Sequence, residues 1–413
     1  MSRNTRVVLS LLIAVAVCAF PAACPADEPS GDWPCWQGAN RDNKSADTGL
    51  LKQWPADGPK RLWHATGIGK GFSSVTVSDQ TVYITGQPDD KLYLFAFDLA
   101  GKLKWKRAVD RAWTRNYAGS RGSAAIDSGK AYVLSGNGVL ACVNAKTGAP
   151  IWSTSAAKFQ GRPGGWGYAE TPLVLGKAVI FKPGGSNCIV ALNKDTGAPI
   201  WASRGFSAGP EYGSCLPVSF GGADMIVTGT RAGIVAVAAN TGKPMWSNSF
   251  SANNTANCPT PAFADGHVFW ANGYGKGGIC LKLAAAGGTV QAAEAWKTPD
   301  MVCHHGGYVI EKGHVYGNNG NGWACLELKT GRTKWKEDGV GKGSLTWADG
   351  MLYLFSQKSG LAGLATCSPD GLEMKGTFSV AGTGPSWAHP VVTGGRLYLR
   401  YDDNLYCYDV KAK

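Results

Sequence analysis

The tripeptide Cys303-His304-His305 is the densest run of chemically able side chains in the sequence. Thiolate and imidazole ligate soft metals such as zinc or copper, and imidazole exchanges protons near neutral pH. On an extended segment, alternation sends His304 and His305 to opposite sides, so the two cannot grip one ion together. A metal would need His304 to meet His389 and Cys258 from distant parts of the chain. Ordinary hydrogen-bonded histidines are the simpler reading, and no metal is assigned. Glu170 and Glu211 could act as an acid and base or hold calcium, but spacing fixes no third ligand for them. Arg121, Tyr168, Tyr212, Lys342 and Trp387 add basic, aromatic and hydrogen-bonding groups suited to holding something polar. No residue is assigned a catalytic role.

Repetition supplies the elements that position these side chains. Cys142-Val-Asn-Ala-Lys-Thr-Gly-Ala-Pro-Ile-Trp152 returns as Ala191-Leu-Asn-Lys-Asp-Thr-Gly-Ala-Pro-Ile-Trp201, and again in segments ending at Trp246 and Trp335. Weaker copies end at Trp105 and Trp296, and the most decayed is Ser368-Pro-Asp-Gly371 with Phe378. Anchors from Trp63 to Phe378 recur roughly every 40–50 residues, the size of a four-stranded propeller blade. Gly101, Gly148, Gly197, Gly242 and Gly331 supply the left-handed turn conformation. Each tryptophan then falls on an outermost strand, where wedging between blades contributes about 2–3 kcal/mol of burial.

Upstream of each motif stand two further strands. Eight such units begin near residues 72, 120, 170, 214, 258, 306, 343 and 387. The eighth lacks an outer strand, and the orphan Lys60-Arg-Leu-Trp63 supplies one, removing free sheet edges. The expected fold is therefore all-β: an eight-bladed β-propeller over residues 60–413, closed by the N-terminal strand around Trp63. Residues 27–59 form an extension expected along the side or bottom of the ring. Loops entering the innermost strands share one face of the central channel. They carry Lys70 and Phe72, then Arg115, Asn116, Tyr117 and Arg121, then Trp166, Tyr168 and Glu170. Later loops bring Glu211, Tyr212 and Cys215, Asn257 and Cys258, Cys303 to His305, Lys342, and Trp387 with His389. The candidate ligand-binding residues are Arg121, Tyr168, Glu170, Glu211, Tyr212, Cys258, His304, His305, Lys342, Trp387 and His389.

The N-terminus reads as an export signal. Arg3 and Arg6 precede an apolar run from Val7 to Phe20, and small residues favour cleavage after Ala26. Acylation at Cys24 is the rival, weakened by Pro21 where such a site wants leucine. No later segment is apolar for long enough to span a bilayer. The expected destination is the periplasm or the extracellular space. Loss of residues 1–26 removes two arginines and no acid, taking the formal charge from +12 to +10. The basic residues are scattered, densest at Lys102, Lys104, Lys106 and Arg107, so they read as a solvated surface. No nucleic-acid module is present. Among the cysteines, Cys142, Cys280, Cys325 and Cys407 share one repeat position, on strands too far apart to bridge, and read as small core residues. Cys215 with Cys258 is the pair to test for a disulfide, and Cys35 could pin the extension.

The Asp/Asn-x-x-Thr-Gly-x-x-x-Trp pattern in eightfold repetition resembles the pyrroloquinoline-quinone-like (PQQ-like) repeat family. That family covers quinoprotein alcohol dehydrogenases and the outer-membrane assembly factor BamB. The resemblance implies either a non-catalytic binding or assembly scaffold for a protein or polysaccharide partner, or a PQQ-dependent oxidoreductase using calcium. Adjacent cysteines, long cofactor-holding insertions and a Cys-x-x-Cys-His haem site are all missing, which favours the scaffold. A monomer is expected.

Overall fold

A computed structural model describes residues 31–252 and 256–412. The export signal, Cys24 and the cleavage point at Ala26 lie outside the described residues. Strands and turns account for the ordered structure, apart from a short 3-10 helix at Ala156–Phe159.

Among the described residues eight sheets are present, each built on four antiparallel strands; seven run in chain order from an inner to an outer strand, and the eighth takes its outer strand from the N-terminal side. Blade 1 comprises Thr76–Ser78, Thr81–Gly86, Lys91–Asp98 and Leu103–Arg111. The innermost strands of blades 2 to 8 are Ala125–Asp127, Leu173–Leu175, Leu216–Phe220, Ala262–Ala264, Tyr308–Glu311, Gly343–Ala348 and Val391–Thr393. These lie at the starts expected from the repeat. Second strands such as Thr81–Gly86 and Met351–Ser356 are buried throughout and mostly apolar, whereas outer strands such as Leu103–Arg111 are largely exposed. The core is a circle of apolar clusters between neighbouring blades. Between blades 3 and 4, for example, Ile180 and Ala191 meet Ile226 and Val237. Closure follows the expected route: Arg61–Ala65 pairs antiparallel with Asn404–Asp409, with Trp63 opposite Cys407.

The registers explain the motif. Trp105, Trp152, Trp201, Trp246, Trp296, Trp335 and Phe378 stand opposite Ala96, Cys142, Ala191, Ala236, Cys280, Cys325 and Ala362. A large ring facing a small residue across the strand pair is the shared rule, and it is why cysteine recurs at that position. Those four cysteines are buried free thiols. Most of these rings also donate their indole N–H to the following blade, as Trp152 does to Lys194 O (2.9 Å) and Trp296 to Leu328 O (2.9 Å). The motif glycine of that following blade lies on the ring. A Cβ on Gly197 would stand 2.8 Å from Trp152, and one on Gly242 would stand 2.4 Å from Trp201.

The extension departs from expectation. Only its later part follows the side: Trp54 packs against Tyr353 and Phe378, and a Cβ on Gly58 would strike Phe378. Its earlier part crosses the central channel. Trp33 pairs with Val77 of blade 1, and Pro34 O accepts from Ile126 N of blade 2. The buried Arg41 guanidinium donates to carbonyls of Thr171, Pro172 and Cys215, at the entries to blades 3 and 4. On the opposite side of the ring, Lys44–Ser45 adds a parallel strand to Gly343–Ala348 of blade 7, and Asn43 donates to Leu345 O (2.7 Å). Innermost strands have unpaired edges facing the channel, and this segment satisfies several of those main-chain groups.

Candidate functional site

Above this plug the channel opens into a cavity of about 230 Å³. The loops entering the innermost strands line it, joined by Tyr274 from a hairpin of blade 5 and Trp36 from the plug. Trp36 is fixed from both sides: its indole N–H donates to Thr260 Oγ1 (3.3 Å), and its ring lies 4.4 Å from that of His389. Phe72, Tyr117, Trp166, Tyr212 and Trp387 make the mouth mostly aromatic. Tyr117 and Tyr274 project furthest, each 55% exposed. Their backbones are left-handed, with φ of 53° and 59°. A bulky residue seldom adopts that conformation, and such outliers gather where a side chain must be aimed.

Arg121 is the cation of the mouth. Its Nη2 donates to Asn116 O (2.6 Å) and Tyr117 O (2.5 Å), and the guanidinium lies over the rings of Phe72 (5.7 Å) and Trp113 (5.8 Å). Burial pushes its pKa down to about 10, which leaves it charged at neutral pH. Its Nε–H has no partner. The same holds for Trp387 Nε1, both ring nitrogens of His305 and the hydroxyl proton of Tyr212, whose oxygen accepts from the Trp166 backbone, all shielded from solvent. Buried polar atoms are normally paired, so this group leaves hydrogen-bonding capacity unspent within one cavity.

His304 is differently placed. Lys342 Nζ lies 3.2 Å from Nδ1, and Tyr274 Oη lies 3.1 Å from Nε2. An ammonium only donates, so Nδ1 accepts and Nε2–H points to Tyr274, whose own hydroxyl proton is left to face outward. Burial, with Lys342 second, pushes the His304 pKa down to about 4. The convergence of His304, His389 and Cys258 on a soft metal is not realised. Both His304 nitrogens are engaged, His389 Nε2 meets His305 O (2.9 Å), and burial holds the Cys258 thiol protonated. The described residues contain no group of three or more His, Cys, Asp or Glu able to hold a metal. Cys215 and Cys258 are free thiols, and Cys35 donates to Gly38 O (3.0 Å) within the extension.

Of the sequence candidates, Arg121, Tyr212, Cys258, His304, His305 and Trp387 line the cavity. Lys342 stands behind His304, and His389 lies beneath Trp36. Tyr168 is in the core between blades 2 and 3, donating to Pro183 O (2.8 Å). The two carboxylates do not pair. Glu170 accepts from Lys182 N (2.6 Å) and offsets the buried charges of Lys182 and Arg41, although burial still raises its pKa. Glu211 accepts from Arg231 Nε (3.2 Å) and Asn257 N (2.9 Å), tying two entry loops together. None of the described lining residues is a carboxylate. Sequence reasoning missed Trp36 and Tyr274: one sits in the non-repeating extension, the other in a loop between the second and third strands. The interruption Asn272-Gly-Tyr-Gly275, an aromatic inside a glycine turn, was the available signal for Tyr274.

Comparison with known proteins follows the same lines. A family model described as outer membrane protein assembly factor BamB matches residues 45–155 and 94–337. No curated protein sequence matches. BamB from Moraxella catarrhalis superposes with a TM-score of 0.63 at 14% identity, covering 85% of this chain and 99% of that one. Quinohemoprotein alcohol dehydrogenase from Comamonas testosteroni gives 0.65 at 14% identity, covering 93% and 81%. The quinohemoprotein alcohol dehydrogenase ADHIIG from Pseudomonas putida HK5 gives 0.60 at 14% identity, covering 94% and 81%. At such identities the likeness is one of fold.

Proposed function

The chain belongs to the family described as outer membrane protein assembly factor BamB, and on that premise we propose that it is an exported, non-catalytic binding propeller. It holds a protein or glycan partner at the aromatic mouth of its plugged channel. The observation that carries this reading is the set of unpartnered, solvent-shielded polar groups on Arg121, Tyr212, His305 and Trp387 within that mouth. The His304 imidazole beside them has both nitrogens engaged, by Lys342 and Tyr274. The lining thiol, Cys258, is held protonated, Glu211 is bound by Arg231 and the Asn257 amide, and Glu170 lies outside the cavity lining with Oε1 on the Lys182 amide.

The rival within the superfamily is a PQQ-dependent dehydrogenase. Pyrroloquinoline quinone with calcium does not fit these residues. Among the described residues no carboxylate lines the cavity to hold calcium, and the plug occupies the channel beneath it. The sequence also has no adjacent cysteines. The deciding experiment supplies the purified chain with the quinone and calcium, then offers alcohols and sugars with an artificial electron acceptor. No turnover is expected, whereas tryptophan fluorescence should respond saturably to a partner and lose that response in Trp387→Ala. Turnover at a stoichiometric quinone load would overturn the reading.

A further inference from the structure

The unpartnered polar groups are arranged in a pattern. Arg121 stands at the entry to blade 2, Tyr212 at blade 4, His305 at blade 6 and Trp387 at blade 8. Alternate blades of an eightfold ring thus present one polar group each, from four sides, toward a common centre. Trp36 enters from the plug below, and Tyr117 and Tyr274 stand at the rim above. The matching ligand carries hydrogen-bonding groups around its circumference and apolar faces above and below.

A pyranose has that anatomy: equatorial hydroxyls around the edge and C–H faces that stack on aromatic rings. The polar groups are mostly donors: a guanidinium N–H, an indole N–H, a phenol and an imidazole offering one N–H with one acceptor nitrogen. Donor excess calls for a ligand rich in acceptors. With a half-buried arginine whose Nε–H is shielded and no carboxylate among the described lining residues, a negative charge on the sugar is favoured over a neutral one. Resting on the binding reading above, we propose that the mouth takes an acidic sugar, a uronic-acid residue of a polysaccharide, with its carboxylate on Arg121 and its ring over Trp36.

The test is calorimetric titration of the full mature chain with tri-galacturonate, the neutral trigalactoside of the same linkage, and a tri-glutamate peptide. Tri-galacturonate should bind at least tenfold more tightly than the trigalactoside. Arg121→Gln should abolish that preference while leaving the thermal midpoint within a few degrees, and Tyr274→Ala should weaken both sugars alike. Equal binding of the two sugars by the wild-type chain would overturn the acidic class. Tighter binding of tri-glutamate would overturn the sugar, as would no response to either saccharide. All three results leave the binding propeller standing, because its own failure reads out separately as quinone-dependent turnover.

Discussion

At the residue scale, the motif glycine has two jobs where the sequence pattern exposes one. The left-handed turn is legible from Thr-Gly alone, but the second role crosses blades: the glycine is the flat seat of the preceding blade's tryptophan. Gly242 combines a φ of +69° with a Cβ position 2.4 Å from Trp201. Gly242→Ala should therefore lose about 2–4 kcal/mol, since backbone strain and overpacking add, measured as a lower urea midpoint at unchanged slope. Histidine chemistry gives a second expectation at this scale. Burial pushes the pKa of His389 down to about 4, and that of His304 likewise. A histidine depressed in the folded state takes up protons first when unfolded. Stability should thus hold above pH 6.5 and fall as pH drops toward 4. In His389→Gln the fall should be shallower, and an unchanged slope would mean that another group drives it.

At the element scale, the blades were legible and the plug was not, for a physical reason. Blades announce themselves because strand alternation, turn chemistry and a wedge residue recur with one period. Residues 33–45 repeat nothing, and many of their partners are main-chain groups on innermost strands or at their entries, which leave no mark in sequence. The mouth was legible in proportion: six candidates on entry loops line it, while Trp36 depended on where the extension runs. Arg41 tests the plug. Its guanidinium serves three carbonyls on two blades while fully buried, so Arg41→Ala leaves those acceptors unpaired. A loss of about 3 kcal/mol or more is expected. Amide exchange should quicken at Trp33–Ser45 and at the entries to blades 3 and 4, while outer strands keep their native rates. Exchange unchanged at Trp33–Ser45 would mean that the remaining plug contacts hold it alone.

At the scale of the whole molecule, what distinguishes one blade from another is topology, since the packing rules are shared. Blades 1 to 7 each take their four antiparallel strands from contiguous chain, so a weakened wedge still leaves those four tethered by short connections. Blade 8 is different: its outer strand Arg61–Ala65 comes from the far end of the sequence and is held to Asn404–Asp409 by pairing alone. The same N-terminal stretch brings Gly58 under Phe378 and Trp63 against Tyr398 and Leu99 O, so one strand completes the interfaces on both sides of the last blade. Trp63→Ala and Trp201→Ala remove similar half-buried wedges, each with an indole bond to the next blade. Each should cost about 3 kcal/mol. The consequences should nevertheless diverge. Trp201→Ala should raise amide exchange only around blades 3 and 4. Trp63→Ala should release Arg61–Ala65 and expose the Asn404–Asp409 edge together, a sub-global opening well below the global unfolding free energy. An exposed edge recruits further strands, so this variant alone should form concentration-dependent oligomers, seen by light scattering. Equal exchange patterns and an equally monomeric state in the two variants would show that closure depends on the ring's packing more than on this strand.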